Sequence, residues 1–294
     1  MKNINEKGLK MGKIMEINVN STSKSEVLAR VEDQISHNKK FYIVTPNPEL
    51  ILMAQTNQRL KNALNDADVS IPDGIGVIQG LKYLSLKSPK TLLLKVPVVF
   101  CQGLIVGAAT IFDRKWLTEE FHPIKGRSLF LDLVKLANNK KWKVVLLGGL
   151  GDEAALSSNK LQKKYPKLEI KSVKGPMFDK NTKPVTGKEE QIEREAIEEI
   201  NKFTPELLFV AFGNPKQEIW VHEHLRNLNI GGAMCVGGSF RYVAGQSILP
   251  PKWMGEIGLE WFWRLFTEPK RFVRIFRAAV IFPVRAFLNK FSDK

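Results

Sequence analysis

From Phe41 to Val236 the chain repeats one pattern: a short apolar run, a polar loop, then a longer amphipathic stretch. Consecutive strands that must lie parallel need a crossover, and helical stretches between apolar runs supply it. The reading is therefore an α/β fold: a mostly parallel sheet with helices on both faces and functional loops at strand carboxyl ends. Strands are expected at Ile14–Val19, Phe41–Thr45, Val69–Ile71, Val144–Leu147, Leu168–Val173, Leu207–Ala211 and Ala233–Val236. Helices are expected at Lys24–Asn38, Glu49–Asn65, Ser128–Asn138, Glu153–Tyr165, Glu189–Lys202 and Gln217–Leu228. Ser23 with Glu26 three residues on is a capping box at the first of these.

Two stretches break the alternation. Within Ser85–His122, Leu92–Phe112 is 21 nearly continuous apolar residues, interrupted by Lys95, Pro97, Gln102, Gly103 and Gly107. A helix of that length would reach about 32 Å, enough to cross a bilayer core. A single span would, however, place strands of one sheet on opposite sides of the membrane. A broken helix or hairpin dipping into one leaflet fits the interruptions; an interface between copies in a homo-oligomer and burial in the core are the alternatives. The second stretch is the tail from Arg264, with eight Lys/Arg against two acids and six interleaved phenylalanines. Cations and aromatics at helical spacing describe an interfacial amphipathic helix that docks on an anionic membrane surface. Packing of the Phe face on the domain, or nucleic-acid binding, would use the same residues. The whole chain carries 45 Lys+Arg against 30 Asp+Glu, so an anionic partner is expected. Cys101 and Cys235 are too far apart and too few for a disulfide framework or a structural zinc site. The N-terminus, Met1 to Lys13, lacks an apolar run, so no secretion signal is read there.

Chemistry-bearing residues gather in loops. Thr45-Pro46-Asn47-Pro48-Glu49 follows a strand; Asn47 and Pro48 suit a helix start, and the Thr45 hydroxyl faces a ligand crevice. In Pro72-Asp73-Gly74, Asp73 is either a turn residue or a carboxylate set at a strand end as general base. In Gly213-Asn214-Pro215-Lys216-Gln217-Glu218, glycine permits close approach, and Lys216 and Gln217 offer a cation and an amide. Lys216 opposes the helix dipole there, which predicts an anionic partner. Gly237 and Gly238 follow the next strand.

Gly149-Leu150-Gly151-Asp152-Glu153-Ala154 after a strand matches a dinucleotide fingerprint, but Lys171 and Lys174 stand where the ribose-binding acid belongs. Gly149 and Gly151 are kept as a phosphate-approach loop, and a nicotinamide-dependent oxidoreductase is the weakest reading. His222 and His224 are two apart, lie on different faces of a helix and are expected to be solvated. No acidic pair suited to a metal-held diphosphate is present, so no metal and no cofactor are expected.

Taken in order, the TPNPE, PDGIG, GNPKQEIW and VGGSF segments, with Gly258-Leu259-Glu260-Trp261 and Arg264, Arg271 and Arg274, resemble the WecG/TagA/CpsF glycosyltransferases, which are bacterial enzymes. The resemblance implies a Rossmann-like domain at 1–84 and 123–258, with an apolar insertion at 85–122 and a basic membrane-docking appendage at 259–294. It implies inverting, metal-independent transfer of N-acetylmannosamine or a related sugar from a UDP-sugar to a polyprenyl-diphosphate-linked acceptor at the cytoplasmic face of the plasma membrane. Asp73 then matches the general base, and Thr45 and Asn47 match the residues lining its pocket. Gln217 lies near the donor, and Arg264, Arg271 and Arg274 close over the diphosphate. Fixed arginines suit a departing diphosphate because their forks bind its oxygens bidentately. Two positions depart from the family pattern. Arg241 stands where it has an acid, and Lys125 or Arg127 is the nearest counterpart of its active-site arginine. A non-catalytic, membrane-associated nucleotide-sugar-binding or scaffold protein is the rival reading.

Overall fold

The computed structural model describes residues 10–247, 251, 254, 262–263, 267 and 272–292. Six parallel strands form the central sheet: β3 (Phe41–Val44), β4 (Val69–Ser70), β5 (Val144–Gly148), β6 (Ile170–Val173), β7 (Leu207–Ala211) and β8 (Gly232–Cys235). Their spatial order is β4-β3-β8-β7-β5-β6, every pair parallel, so all the loops leaving their carboxyl ends gather on one edge. Alternate residues feed opposite faces, as the period-2 strand requires. Phe41, Ile43 and Phe209 join a core with α1 (Lys24–Ser36), α7 (Gly126–Lys140) and α8 (Glu153–Lys164). Tyr42, Val44, Leu208 and Val210 join the other, with α2 (Pro48–Ala54), α3 (Gln58–Asn65), α9 (Gly187–Phe203) and α10 (Lys216–His224). The α/β expectation holds, and the Ser23–Glu26 capping box is present with both hydrogen bonds made.

Three local expectations are corrected. Ile14–Val19 is not one strand: Met15 and Glu16 take left-handed φ of 46° and 65° and turn β1 (Lys10–Ile14) back on β2 (Ile17–Ser21). Neither residue type advertises such a turn, which favours Gly, Asn or Asp. The Glu49–Asn65 helix is two, because Asn57 accepts from the Leu60 N–H and starts α3 afresh. Leu92–Phe112 is neither broken nor a hairpin but one continuous helix, α5. Pro97 cannot donate to the Leu93 carbonyl one turn back, and Leu93, in the first turn of the helix, is 83% exposed.

A helix lies between the Asp73 loop and the insertion where none was expected: α4 (Ile75–Ser85). At its Gly80 a Cβ would meet Ile14 Cδ1 at 2.3 Å and the Phe282 ring at 3.1 Å, so glycine lets the β1–β2 hairpin and the tail cross α4 closely. The tail runs through α12 (Phe272–Phe276), a π turn (Arg277–Ile281) and α13 (Phe282–Ser292). Phe282, Ala286 and Lys290 face inward, each buried. The Lys290 ammonium donates to the Tyr83 carbonyl at 2.7 Å and to Gln102 Oε1 at 2.5 Å, tying α13 to both α4 and α5. Burial there lowers its pKa to about 8, with Lys95 adding repulsion. Short α6 (Arg114–Thr118) returns the chain from α5 towards α7. The outer face of α5 stays apolar and exposed, from Leu93 through Phe100 and Leu104 to Phe112 at 85%. Phe272, Phe276, Val284 and Leu288 of the tail are also exposed.

Candidate active site

Three loops at the carboxyl edge are joined through their backbones. The Asp73 N–H donates to the Pro46 carbonyl at 3.0 Å, and the Ile124 N–H to the Pro72 carbonyl at 3.3 Å. Gly126, which opens α7, lies so close to Thr45 that a Cβ would sit 3.2 Å from Oγ1. Thr45, Asn47, Asp73 and the Lys125–Arg127 segment therefore share one patch beside β3 and β4. Asp73 itself precedes Gly74, whose φ of 90° starts α4 in a conformation costly for any side chain. Asn47 caps α2 as its sequence predicts, its Oδ1 accepting from the Leu50 N–H at 2.9 Å; what remains for a ligand is its Nδ2. Glu49, one position past Pro48, binds Arg274 Nε at 2.7 Å, which brings the tail to the rim of this patch. Arg264 and Arg271 lie outside the described residues.

Of the two family-arginine counterparts, Lys125 is exposed at the start of α7. Arg127 is half-buried and stacks its guanidinium 4.4 Å above the Tyr242 ring of α11 (Ser239–Val243). Arg127 thus stands at the seam between the Asp73 patch and a second group of loops, those after β5, β7 and β8.

In that second group several residues expected to meet a ligand have protein partners. Gln217 is buried: its Nε2 donates to Asn214 Oδ1 at 3.2 Å and to Glu218 Oε1 at 2.7 Å, and its Oε1 accepts from the Gly237 N–H at 3.0 Å. Its amide links the loops after β7 and β8. Among the described residues Lys216 has no carboxylate hydrogen-bonded to it; its ammonium reaches the Phe178 carbonyl at 2.5 Å, with the charge of Asp179 nearby. The loop of Gly149 and Gly151 is partly filled by the chain itself. The Leu150 N–H between them donates to Glu153 Oε2 at 3.0 Å, so the chain's own carboxylate occupies that amide. Arg241 completes the arrangement, its Nε on Glu153 Oε1 at 2.8 Å. Gly213 and Gly237, with φ of 76° and 52°, keep the backbone turns that only glycine makes cheaply, and Gly238 is exposed beside them. His222 pairs with Asp66 at 3.0 Å and His224 stacks on Trp220, so neither is simply solvated and the rings do not converge.

Glu218 was no candidate on sequence, yet it is buried and its carboxyl is strongly perturbed. Burial raises its pKa to about 7 against the hydrogen bond from Gln217, and its Oε2 has no hydrogen-bond partner among the described residues. Burial, with Glu218 adding to it, also pushes the Cys235 thiol up. Glu49 and Glu153 were missed because their partners, Arg274 and Arg241, are far away in sequence.

This arrangement can be compared with known proteins. A model of the glycosyl transferase WecG/TagA/CpsF family matches residues 12–93 and 90–294. The chain belongs to the WecG/TagA/CpsF family. It is a glycosyltransferase, as the loop order implied. It is 28% identical over 242 residues to an N-acetylglucosaminyldiphosphoundecaprenol N-acetyl-beta-D-mannosaminyltransferase of Bacillus spizizenii, covering 82% of this chain and 77% of the relative. A protein of the same name from Staphylococcus aureus is 26% identical over 234 residues, covering 80% and 75%. In this glycosyltransferase, Asp73 and Thr45 occupy the joined patch, while Gln217, Lys216 and Arg241 organise the neighbouring loops.

Proposed function

We propose that this transferase moves N-acetylmannosamine, or a closely related sugar, from a UDP-linked donor to N-acetylglucosamine on undecaprenyl diphosphate. The product would serve cell-wall or surface-polysaccharide synthesis. The observation that carries the reading is the joining of the Thr45, Asp73 and Ile124–Arg127 loops at the carboxyl edge of the sheet, in a chain whose relatives bear that activity in their names. The Asp73 carboxylate takes the proton of the acceptor hydroxyl as its oxygen attacks the anomeric carbon. The bond from that carbon to the diphosphate breaks, its electron pair leaves with UDP, and the configuration inverts. Fixed cations meet the developing charge: Arg274, held at the rim by Glu49, with Arg264 and Arg271 of the same tail. No metal takes part. The exposed apolar faces of α5 and the tail, flanked by Arg277 and Arg285, rest on the anionic cytoplasmic leaflet beside the polyprenyl acceptor. The chain lies on the membrane without crossing it, because α5 is held between strands of one sheet.

The test is UDP release from a panel of UDP-sugars with a prenyl-diphosphate-N-acetylglucosamine acceptor, with and without EDTA. Release that requires the acceptor and survives EDTA supports the reading. Donor binding with no release would make the chain a scaffold, and metal-restored activity would overturn the arginine account.

A further inference from the structure

We infer that Glu218 is a positioning residue: its Oε1 orients the Gln217 amide so that the amide oxygen holds the Gly237 N–H and locks the loop after β8 onto the loop after β7. The inference rests on the transferase reading only in assigning those loops to the donor.

The geometry leaves the amide one orientation. Gln217 Nε2 has two hydrogens and faces two acceptors, Glu218 Oε1 at 2.7 Å and Asn214 Oδ1 at 3.2 Å. Rotating the amide by half a turn would set its oxygen against both of those oxygens and turn Nε2 towards the Gly237 N–H, donor against donor. The acceptor pair therefore dictates that the Gln217 oxygen meets Gly237, at 3.0 Å. Gly237 has a left-handed φ of 52°, and a Cβ there would lie 3.9 Å from Gln217 Nε2, so the turn is built directly against the amide.

Packing alone does not explain a carboxyl here. Glu218 is 2% exposed, forms no ion pair among the described residues, and its Oε2 is without a hydrogen-bond partner there. A leucine or methionine would fill the space without that desolvation cost. What an apolar side chain cannot supply is the acceptor facing Gln217.

The experiment compares Glu218→Leu with Glu218→Gln, whose amide oxygen can still accept from Gln217. Three quantities are read: exchange of the Gly237 amide hydrogen, Kd for UDP by calorimetry, and the steady-state KM values. In Glu218→Leu, Gly237 exchange should accelerate, and UDP Kd and donor KM should rise, each by about tenfold, the worth of one hydrogen bond. Acceptor KM should stay put, and Glu218→Gln should bring every value back to within about twofold. Unchanged Gly237 exchange in Glu218→Leu overturns the inference, as does equal impairment of both variants. If Glu218→Leu does not fold, Glu218→Met replaces it, since it fills the space without an acceptor for Gln217; wild-type Gly237 exchange in that variant overturns the inference equally. Failure of the wild type to bind UDP would instead overturn the UDP-donor reading, while Gly237 exchange still judges the role of Glu218.

Discussion

Asp73→Asn is expected to cut turnover by about 10²–10⁴, the usual worth of a general base, with donor binding and melting temperature unchanged. The substitution keeps the side chain's size, and the backbone bond to Pro46 is untouched, so wild-type turnover would reduce Asp73 to a turn residue. Glu218 governs a stability trend. Its pKa rises from 4.5 to about 7 on folding, so between those values the folded state keeps a proton that the unfolded chain releases. Stability contributed here is therefore greatest at low pH, falls as pH rises from 4.5 to 7, and is level above. Glu218→Gln removes the slope, and its stability relative to wild type should grow across that window by up to about 3 kcal/mol. Denaturant melts at pH 5 and pH 8 check this; parallel behaviour of the two proteins would refute it. At this scale the sequence was legible where the partner is local. Asn47 reads as a cap because the N–H it holds is three residues away. Gln217 showed its motif but not its partners, because Gly237 lies twenty residues further on, across a strand pairing.

Helix α5 carries the prediction at the scale of elements. Leu93, Phe100 and Leu104 are exposed, so replacing all three by glutamine should leave the melting temperature within a degree or two. Binding to anionic vesicles, measured by co-sedimentation, should fall sharply, and activity on long-chain acceptors should fall more than on short analogues. Unchanged vesicle binding would remove α5 from the membrane surface. Apolar composition marked this helix, but its continuity through Pro97, which removes one donor near the exposed first turn, is seen only in the folded chain. The unexpected α4 has the opposite history. It holds two glycines at close approaches, Gly76 to Pro48 and Gly80 to Ile14 and Phe282, which no local pattern announces.

For the whole molecule, the tail belongs to the core as well as to the site. Phe282 is 2% exposed against Gly80, and losing such a ring typically costs about 3–5 kcal/mol. Truncation after Leu259 should therefore lower the melting temperature as well as abolish activity, rather than leave an intact α/β domain. Arg274→Ala should impair turnover with little change in melting, because its guanidinium is nearly half exposed and meets Glu49 at the rim. If truncation leaves melting unchanged, α13 does not pack as described.

The sequence by itself determined the α/β class, the strand ends at which the loops open and the family. Those are properties of local periodicity, capping and motif order, which a chain carries wherever it goes. Tertiary structure alone decided which polar groups those loops have to spare. Glu153 filling the Leu150 amide, Arg241 drawn to Glu153, Gln217 bound between Glu218 and Gly237, and Arg274 brought to Glu49 all join residues from separate elements. A buried or crowded polar group takes the nearest complementary partner that folding delivers, and only the folded chain says which one that is.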